Sequence, residues 1–125
     1  MTLADTSVWV NHLRANDPIL EALLEDDQVL MHPMVIGELA CGNLPDREQV
    51  LDLLKELPQI PVAGDEEVLF LIERHRLMGR GIGYVDAHLL AAALLAGSVR
   101  LWTRDRRLWS AAADLNLVYQ LPDLR

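Results

Sequence analysis

Gly83-Tyr84-Val85-Asp86-Ala87-His88-Leu89-Leu90, an Ala/Leu run to Ala96, a Gly97-Ser98 turn and then Val99-Arg100-Leu101-Trp102-Thr103-Arg104-Asp105 form the stretch on which the fold reading turns. Positions 84 to 96 are apolar almost all round a helix, so this element belongs inside the domain. Asp86 precedes Leu89 and Leu90 by about one turn and Ala93 by about two, on a face that ought to be packed. A carboxylate there must be paired, protonated or bound to a cation, because a bare buried charge is very costly. The strand after the Gly97-Ser98 turn delivers a second carboxylate, Asp105, at its end.

Working outward, the same alternation of short strands and helices recurs. Leu3-Ala4 reads as a strand ending in Asp5-Thr6-Ser7, all good N-cap residues, followed by Trp9, Val10 and Leu13 at helical spacing. Asn16-Asp17-Pro18 breaks that helix and starts another. Gln28 to Met31 reads as a strand, and Pro33 opens a helix that Gly42-Asn43 stops. Pro45-Asp46 starts a helix expected to turn Val50, Leu51, Leu53, Leu54 and Leu57 inward. Pro58 to Val62 can be an edge strand at best. Asp65 to Met78 is expected to be helical, Gly79 to Gly83 a flexible loop, Arg106 to Asp114 a last helix and Leu117 to Tyr119 a last short strand. This order implies an α/β fold with a mainly parallel sheet flanked by helices, in one domain over residues 1–125. Such sheets put ligand sites at the carboxyl ends of their strands.

Composition narrows the function classes. The 125 residues are 51% hydrophobic, with a mean hydropathy of +0.14, which fits a packed globule and not a disordered chain. The longest apolar run, Leu89 to Ala96, is far short of the roughly 20 residues that span a bilayer. The opening Met1-Thr2-Leu3-Ala4-Asp5 lacks a basic region and an apolar signal core, so no export is expected. The single cysteine, Cys41, excludes an internal disulfide and fits a reducing compartment. The expectation is a cytoplasmic protein with no membrane role. A net charge of −8 disfavours indiscriminate nucleic-acid binding but is compatible with an acidic cluster neutralised by cations. Against that background Arg74, His75, Arg76 and Arg80 gather before the central stretch, and Arg100, Arg104, Arg106 and Arg107 around its end.

Four acids stand out. Asp5 and Asp105 end strands that a parallel sheet would align along one edge, while Glu38 and Asp86 sit on helix faces expected to pack toward it. Taken singly, Asp5 and Asp105 could be helix caps, Asp86 a favourable charge at a helix N-terminus and Glu38 a surface residue. Converging on one pocket, they would repel one another unless cations were present. Oxygen-only ligation suits Mg²⁺ or Mn²⁺, as phosphoryl-transfer sites use. His12, His32, His75 and His88 lack metal-ligand spacing with one another or with Cys41, which argues against zinc. Gly79-x-Gly81-x-Gly83 lacks the context of a dinucleotide loop. Trp9, Trp102 and Trp109 read as core or interface anchors.

Leu3-Ala4-Asp5-Thr6-Ser7-Val8-Trp9, Ile36-Gly37-Glu38-Leu39, Gly83-Tyr84-Val85-Asp86-Ala87 and Leu101-Trp102-Thr103-Arg104-Asp105 resemble the four successive motifs of PIN-domain ribonucleases, most closely the VapC toxins of bacterial type II toxin–antitoxin pairs. The resemblance implies a PIN-like α/β/α sandwich and metal-dependent endonucleolytic cleavage of RNA, leaving 3′-hydroxyl and 5′-phosphate ends. By position, Asp5, Glu38, Asp86 and Asp105 match the acidic quartet, and Thr6 and Thr103 the hydroxyl residues beside it. Asp5, Asp86 and Asp105 would then ligate Mg²⁺ or Mn²⁺, with Glu38 and Thr103 completing the catalytic set. Arg104, Arg106 and Arg107 are candidate RNA contacts, with Arg80 and Arg14 beside them. The resemblance also implies a homodimer and a cognate VapB-type antitoxin that joins it in a hetero-oligomer. It departs at Arg107, where many members carry a further Asp or Asn; that leaves one or two metal ions open and adds positive charge near the phosphate path.

Two other classes use similar residues. An Asp-based Mg²⁺-dependent phosphatase would need a second Asp where Ser7 stands, and a receiver domain a late lysine, whereas the only lysine is Lys55. A non-catalytic protein-binding module would use the acids as caps, and divalent cations would leave its melting temperature unchanged.

Overall fold

A computed structural model describes residues 1–122. The chain begins with β1 (Thr2–Ala4), whose three residues are all buried, and turns at Asp5 into α1 (Thr6–Ala15). Asp17 then caps α2 (Pro18–Glu25), its side chain accepting from the N–H groups of Ile19 and Leu20, with Pro18 at the first helical position where a missing N–H costs nothing. Next come β2 (Val29–Leu30), α3 (Pro33–Ala40), α4 (Arg47–Glu56) and α5 (Asp65–Arg74). The chain closes with α6 (Tyr84–Ala96), β3 (Arg100–Trp102) and α7 (Arg106–Asp114).

The sheet has the order β2-β1-β3, all parallel, with Leu3 opposite Leu30 on one side and Leu101 on the other. Single parallel bridges widen it at both edges, Met31 to Gln59 and Leu101 to Val118. The Pro58–Val62 segment goes no further than that because its two prolines cannot donate to a ladder. Helices flank this sheet in an α/β/α arrangement. Since β1 is central, the chain leaves it toward β2 on one side and β3 on the other. The strand order thus reverses at β1, which opens a crevice at the carboxyl ends of β1 and β3.

Helix α6 bears out its all-round apolar pattern over its middle, while Tyr84 at its start and Leu95 near its end are exposed. Ala87 through Ala93 are buried without interruption, including His88. Small Ala91, Ala92 and Ala93 let the helix approach its neighbours closely, and Gly97, at φ +84°, supplies the left-handed turn that ends it. Below it, Leu3, Ala4, Leu30, Leu101, Leu108 and Ala112 share one core, while Ala63, Val68, Ala87 and Ala91 form a smaller one between α5 and α6.

Two details depart from expectation, and a third tells the tryptophans apart. Helix α5 stops at Arg74, short of Met78, because Arg76 adopts φ +52° and turns Leu77 back into the core. The Leu77 N–H donates to the Ile72 carbonyl and the Arg76 N–H to that of Glu73, a Schellman ending with arginine in the place usually held by glycine. Leu53 faces solvent on α4, although its neighbour Leu54 is buried. Finally, Trp9 and Trp102 are core residues at 3% and 4% exposure, but Trp109 is 47% exposed. Among the described residues, no helix is long and apolar enough to cross a membrane.

Candidate metal centre and nucleic-acid interface

The crevice is built first from Asp5. The Asp5 N–H donates to the Trp102 carbonyl, fastening the end of β1 to the end of β3. The residue is only 4% exposed, and its carboxylate has three side-chain or backbone donors. Oδ1 accepts from the Ser7 hydroxyl at 2.6 Å and the Val8 N–H at 3.1 Å, and Oδ2 accepts from the Thr103 hydroxyl at 2.5 Å. Burial pushes the Asp5 carboxyl above its ordinary value, and the hydrogen bonds from Ser7, Thr103 and Val8 only partly offset it. A buried acid raised in this way gains from a nearby cation.

Thr103 and Ser7 link Asp5 to the turn after β3. The Thr103 oxygen accepts the Asp105 N–H at 3.0 Å, and the Ser7 oxygen accepts the Arg104 N–H at 2.9 Å. Each hydroxyl therefore donates to Asp5 and accepts from that turn, so two strand ends share one network. Asp105 caps α7 through Oδ1, which accepts from the N–H groups of Arg107 and Leu108 at 2.8 and 3.1 Å. Its carboxylate is exposed toward the crevice mouth.

Asp86 and Glu38 come from the helices. Asp86 is half-buried in the first turn of α6, where Oδ2 accepts the Gly83 N–H at 3.2 Å. Burial raises its proton affinity, and the charges of Asp5, Asp105 and Glu38 raise it further while the Gly83 N–H lowers it. Those three contributions put the four acids in one electrostatic neighbourhood. Glu38 is not packed with the apolar side of α3; it is exposed, and Oε1 accepts the Thr6 hydroxyl at 2.5 Å.

The acids ring the crevice without closing into a cage: among the described residues, no three His, Cys, Asp or Glu side chains stand in ready-made ligand geometry. A hard divalent cation such as Mg²⁺ or Mn²⁺ suits this arrangement, because Mg²⁺ keeps several waters and needs only one or two direct carboxylates. The donor set is all oxygen, which disfavours softer metals.

The basic residues divide. Arg104, Arg106 and Arg107 are exposed on the turn and first turn of α7, and Arg14 lines a cleft of about 510 Å³ that also holds Glu38. Arg80 stands differently: its guanidinium pairs with Asp114 at 2.8 Å and donates to the Ser110 hydroxyl at 3.2 Å, so it latches the 79–83 loop to α7. Arg107 lies against the same loop. A Cβ at Gly81, whose φ is +80°, would stand 2.6 Å from the Arg107 Cδ.

The histidines take structural posts. His12 Nδ1 accepts the Asp17 N–H, and His32 Nδ1 accepts the Met34 N–H as the cap of α3. His32 is fully buried, and burial, with His88 nearby, holds its pKa down to about 4. His88 Nε2 lies 3.1 Å from Asp65 Oδ1, and its ring meets that of Tyr84 edge-on. Sequence reasoning overlooked Ser7 as a holder of Asp5. The signal was present in Asp5-Thr6-Ser7, since a hydroxyl two residues after a strand-end Asp can reach back to its carboxylate.

Comparison with known proteins gives the same outline. Residues 2–115 match the sequence model of the PIN domain. Two curated relatives, each named Ribonuclease VapC32 and from different strains of Mycobacterium tuberculosis, are 55% identical over 114 residues, covering 91% of this chain and 92% of theirs. With the crevice at the ends of β1 and β3 and these matches along its length, the chain belongs to the PIN-domain family.

Proposed function

We propose that this chain is a Mg²⁺- or Mn²⁺-dependent endoribonuclease, folded as one domain over residues 1–125, and the toxin of a cytoplasmic toxin–antitoxin pair. The observation that carries the reading is the link of Asp5 to Asp105 through Thr103 at the carboxyl ends of β1 and β3, with Asp86 feeling the charges of both and of Glu38, and with Arg104, Arg106 and Arg107 exposed on the turn after β3 and the first turn of α7. The relatives named as VapC ribonucleases support the substrate class and the toxin role.

Asp5, Asp86 and Asp105 would hold the cation, which when bound offsets the charge developing on the phosphodiester and makes water a better nucleophile at neutral pH. Ser7, Val8 and Thr103 fix both oxygens of Asp5, so its carboxylate is oriented before substrate arrives. Glu38, steadied by Thr6, orients the attacking water. Water adds to phosphorus in line, the bond to the 3′ oxygen breaks, and the fragments carry a 3′-hydroxyl and a 5′-phosphate. Arg104, Arg106, Arg107 and Arg14 contact phosphates, and Arg80 keeps the loop that supplies the Gly83 N–H to Asp86 in register with α7. A homodimer and a VapB-type antitoxin bound in a hetero-oligomer complete the proposal.

Purified Asp5→Asn and Asp86→Asn chains, assayed for RNA cleavage with Mg²⁺, test it. Cleavage should be lost in folded protein; full activity in either variant sinks the assignment. Mapping the 5′ ends of RNA from cells expressing the chain without its antitoxin would identify the target.

A further inference from the structure

Of three tryptophans, two are sealed in the core and the third is half open to solvent. Trp109 lies one turn beyond Asp105 on α7, its N–H donating to the Asp105 carbonyl at 2.9 Å, so the two side chains share a side of that helix. Together with Thr103, Arg104, Asp105 and Arg106 it lines a cleft of about 220 Å³. The cleft thus holds a candidate metal ligand, the hydroxyl that orients Asp5, two exposed guanidinium groups and one aromatic ring.

We propose that Trp109 is a stacking platform for one unpaired nucleobase of the RNA, next to the phosphate engaged by the acidic crevice. This deepens the proposed function and rests on it. Trp109 is the single apolar side chain lining the cleft, which gives a protein partner little to bury but gives a planar base a π-face. Arg104 and Arg106 bring two positive charges to the cleft against the single carboxylate of Asp105, so the lining itself can meet a phosphate. Bases in a duplex are already stacked and cannot reach such a ring, whereas single-stranded segments splay theirs out. The site therefore takes single-stranded RNA, in which a base adjoining the cut is free to turn onto the indole.

The test compares Trp109→Ala and Trp109→Phe with the unaltered chain on a single-stranded RNA oligonucleotide and on its blunt duplex. Trp109→Ala should raise KM about tenfold with kcat within about twofold, and Trp109→Phe should recover most of the loss. In the cleavage-deficient Asp86→Asn background, the single strand should quench tryptophan fluorescence. The duplex should not, and neither should the single strand once Trp109 is replaced by Phe. Cleavage by the unaltered chain with an unchanged KM in Trp109→Ala overturns the stacking role while leaving the nuclease intact. If the substitution instead weakens self-association or antitoxin binding at unchanged KM, Trp109 is a protein contact and the inference fails. Quenching by single-stranded RNA with no cleavage by the unaltered chain would sink the nuclease reading and keep the stacking site.

Discussion

The Thr103 hydroxyl stands 2.5 Å from Asp5 Oδ2 and also accepts the Asp105 N–H, so one side chain joins the ends of two parallel strands and touches two of the four acids. Thr103→Val keeps the shape and removes both bonds. It should cost about 1–3 kcal/mol, because the Asp105 N–H and a buried carboxylate oxygen lose a partner together. RNA cleavage should fall by more than the stability change accounts for, since Asp5 is no longer fixed; chemical denaturation and kcat on the same samples check this.

Ser7 makes the parallel link, donating to Asp5 and accepting the Arg104 N–H. Ser7→Ala should destabilise by about 1 kcal/mol and loosen the Arg104 turn. Ser7→Thr preserves the hydroxyl and should retain most activity. Equal activity in Ser7→Ala and the unaltered chain would remove Ser7 from the site.

Stability against pH should carry two opposing slopes. Asp5 and Asp86 have folded pKa values raised above the ordinary 3.8, so their contribution is fully present below 3.8 and is lost as pH rises through the raised values. His32 is lowered from 6.5 to about 4, so the folded state binds its proton less readily than the unfolded chain, and stability falls as pH drops through that window. Asp5→Asn should therefore raise the melting temperature of metal-free protein at neutral pH while abolishing cleavage. His32→Asn, which can still cap α3, should flatten the acid-side slope. Thermal melts across pH 4 to 8 read both.

Mg²⁺ should raise the melting temperature of the unaltered chain with a logarithmic dependence on concentration, as binding to the folded state requires. Asp5→Asn and Asp86→Asn should lose most of that shift. A concentration-independent melting temperature would favour acids that serve only as caps.

The arginines should separate by salt dependence. Arg104→Ala and Arg106→Ala should each lower the slope of log affinity against log salt by about 0.7 on single-stranded RNA. Arg80→Ala should leave the slope alone and cost at most about 1 kcal/mol of stability, because its partner Asp114 is exposed.

Much of this architecture is legible in the sequence because local chemistry and tertiary need agree. Asp5, Asp17 and Asp105 cap helices where a capping residue meets the start of an apolar period. The nearness of Asp5 and Asp105 is legible for the same reason, since strand-end acids in a parallel sheet have one edge to share, whereas the exposed face of Glu38 is not. The misses have their own logic. Arg76 in a left-handed turn gives no compositional sign, so α5 read four residues too long. The outward side of Leu53 cannot be known without the angle at which α4 packs. Exposure of Trp109 depends on how α7 rolls about its axis, which burial of Leu108, Ala111 and Ala112 sets and which one helical period leaves free.

The uninterrupted burial of α6 divides the crevice into a slow wall and a fast one. A helix sealed from Ala87 to Ala93 has few routes of partial opening, so its amides should exchange with solvent only when the whole domain unfolds. Asp86, half-buried in the first turn, adjoins that sealed segment. Arg104, Asp105 and Arg106, all exposed, sit on a turn held largely by two hydroxyls and should exchange far sooner. Hydrogen exchange should therefore separate the two walls of the crevice by rate.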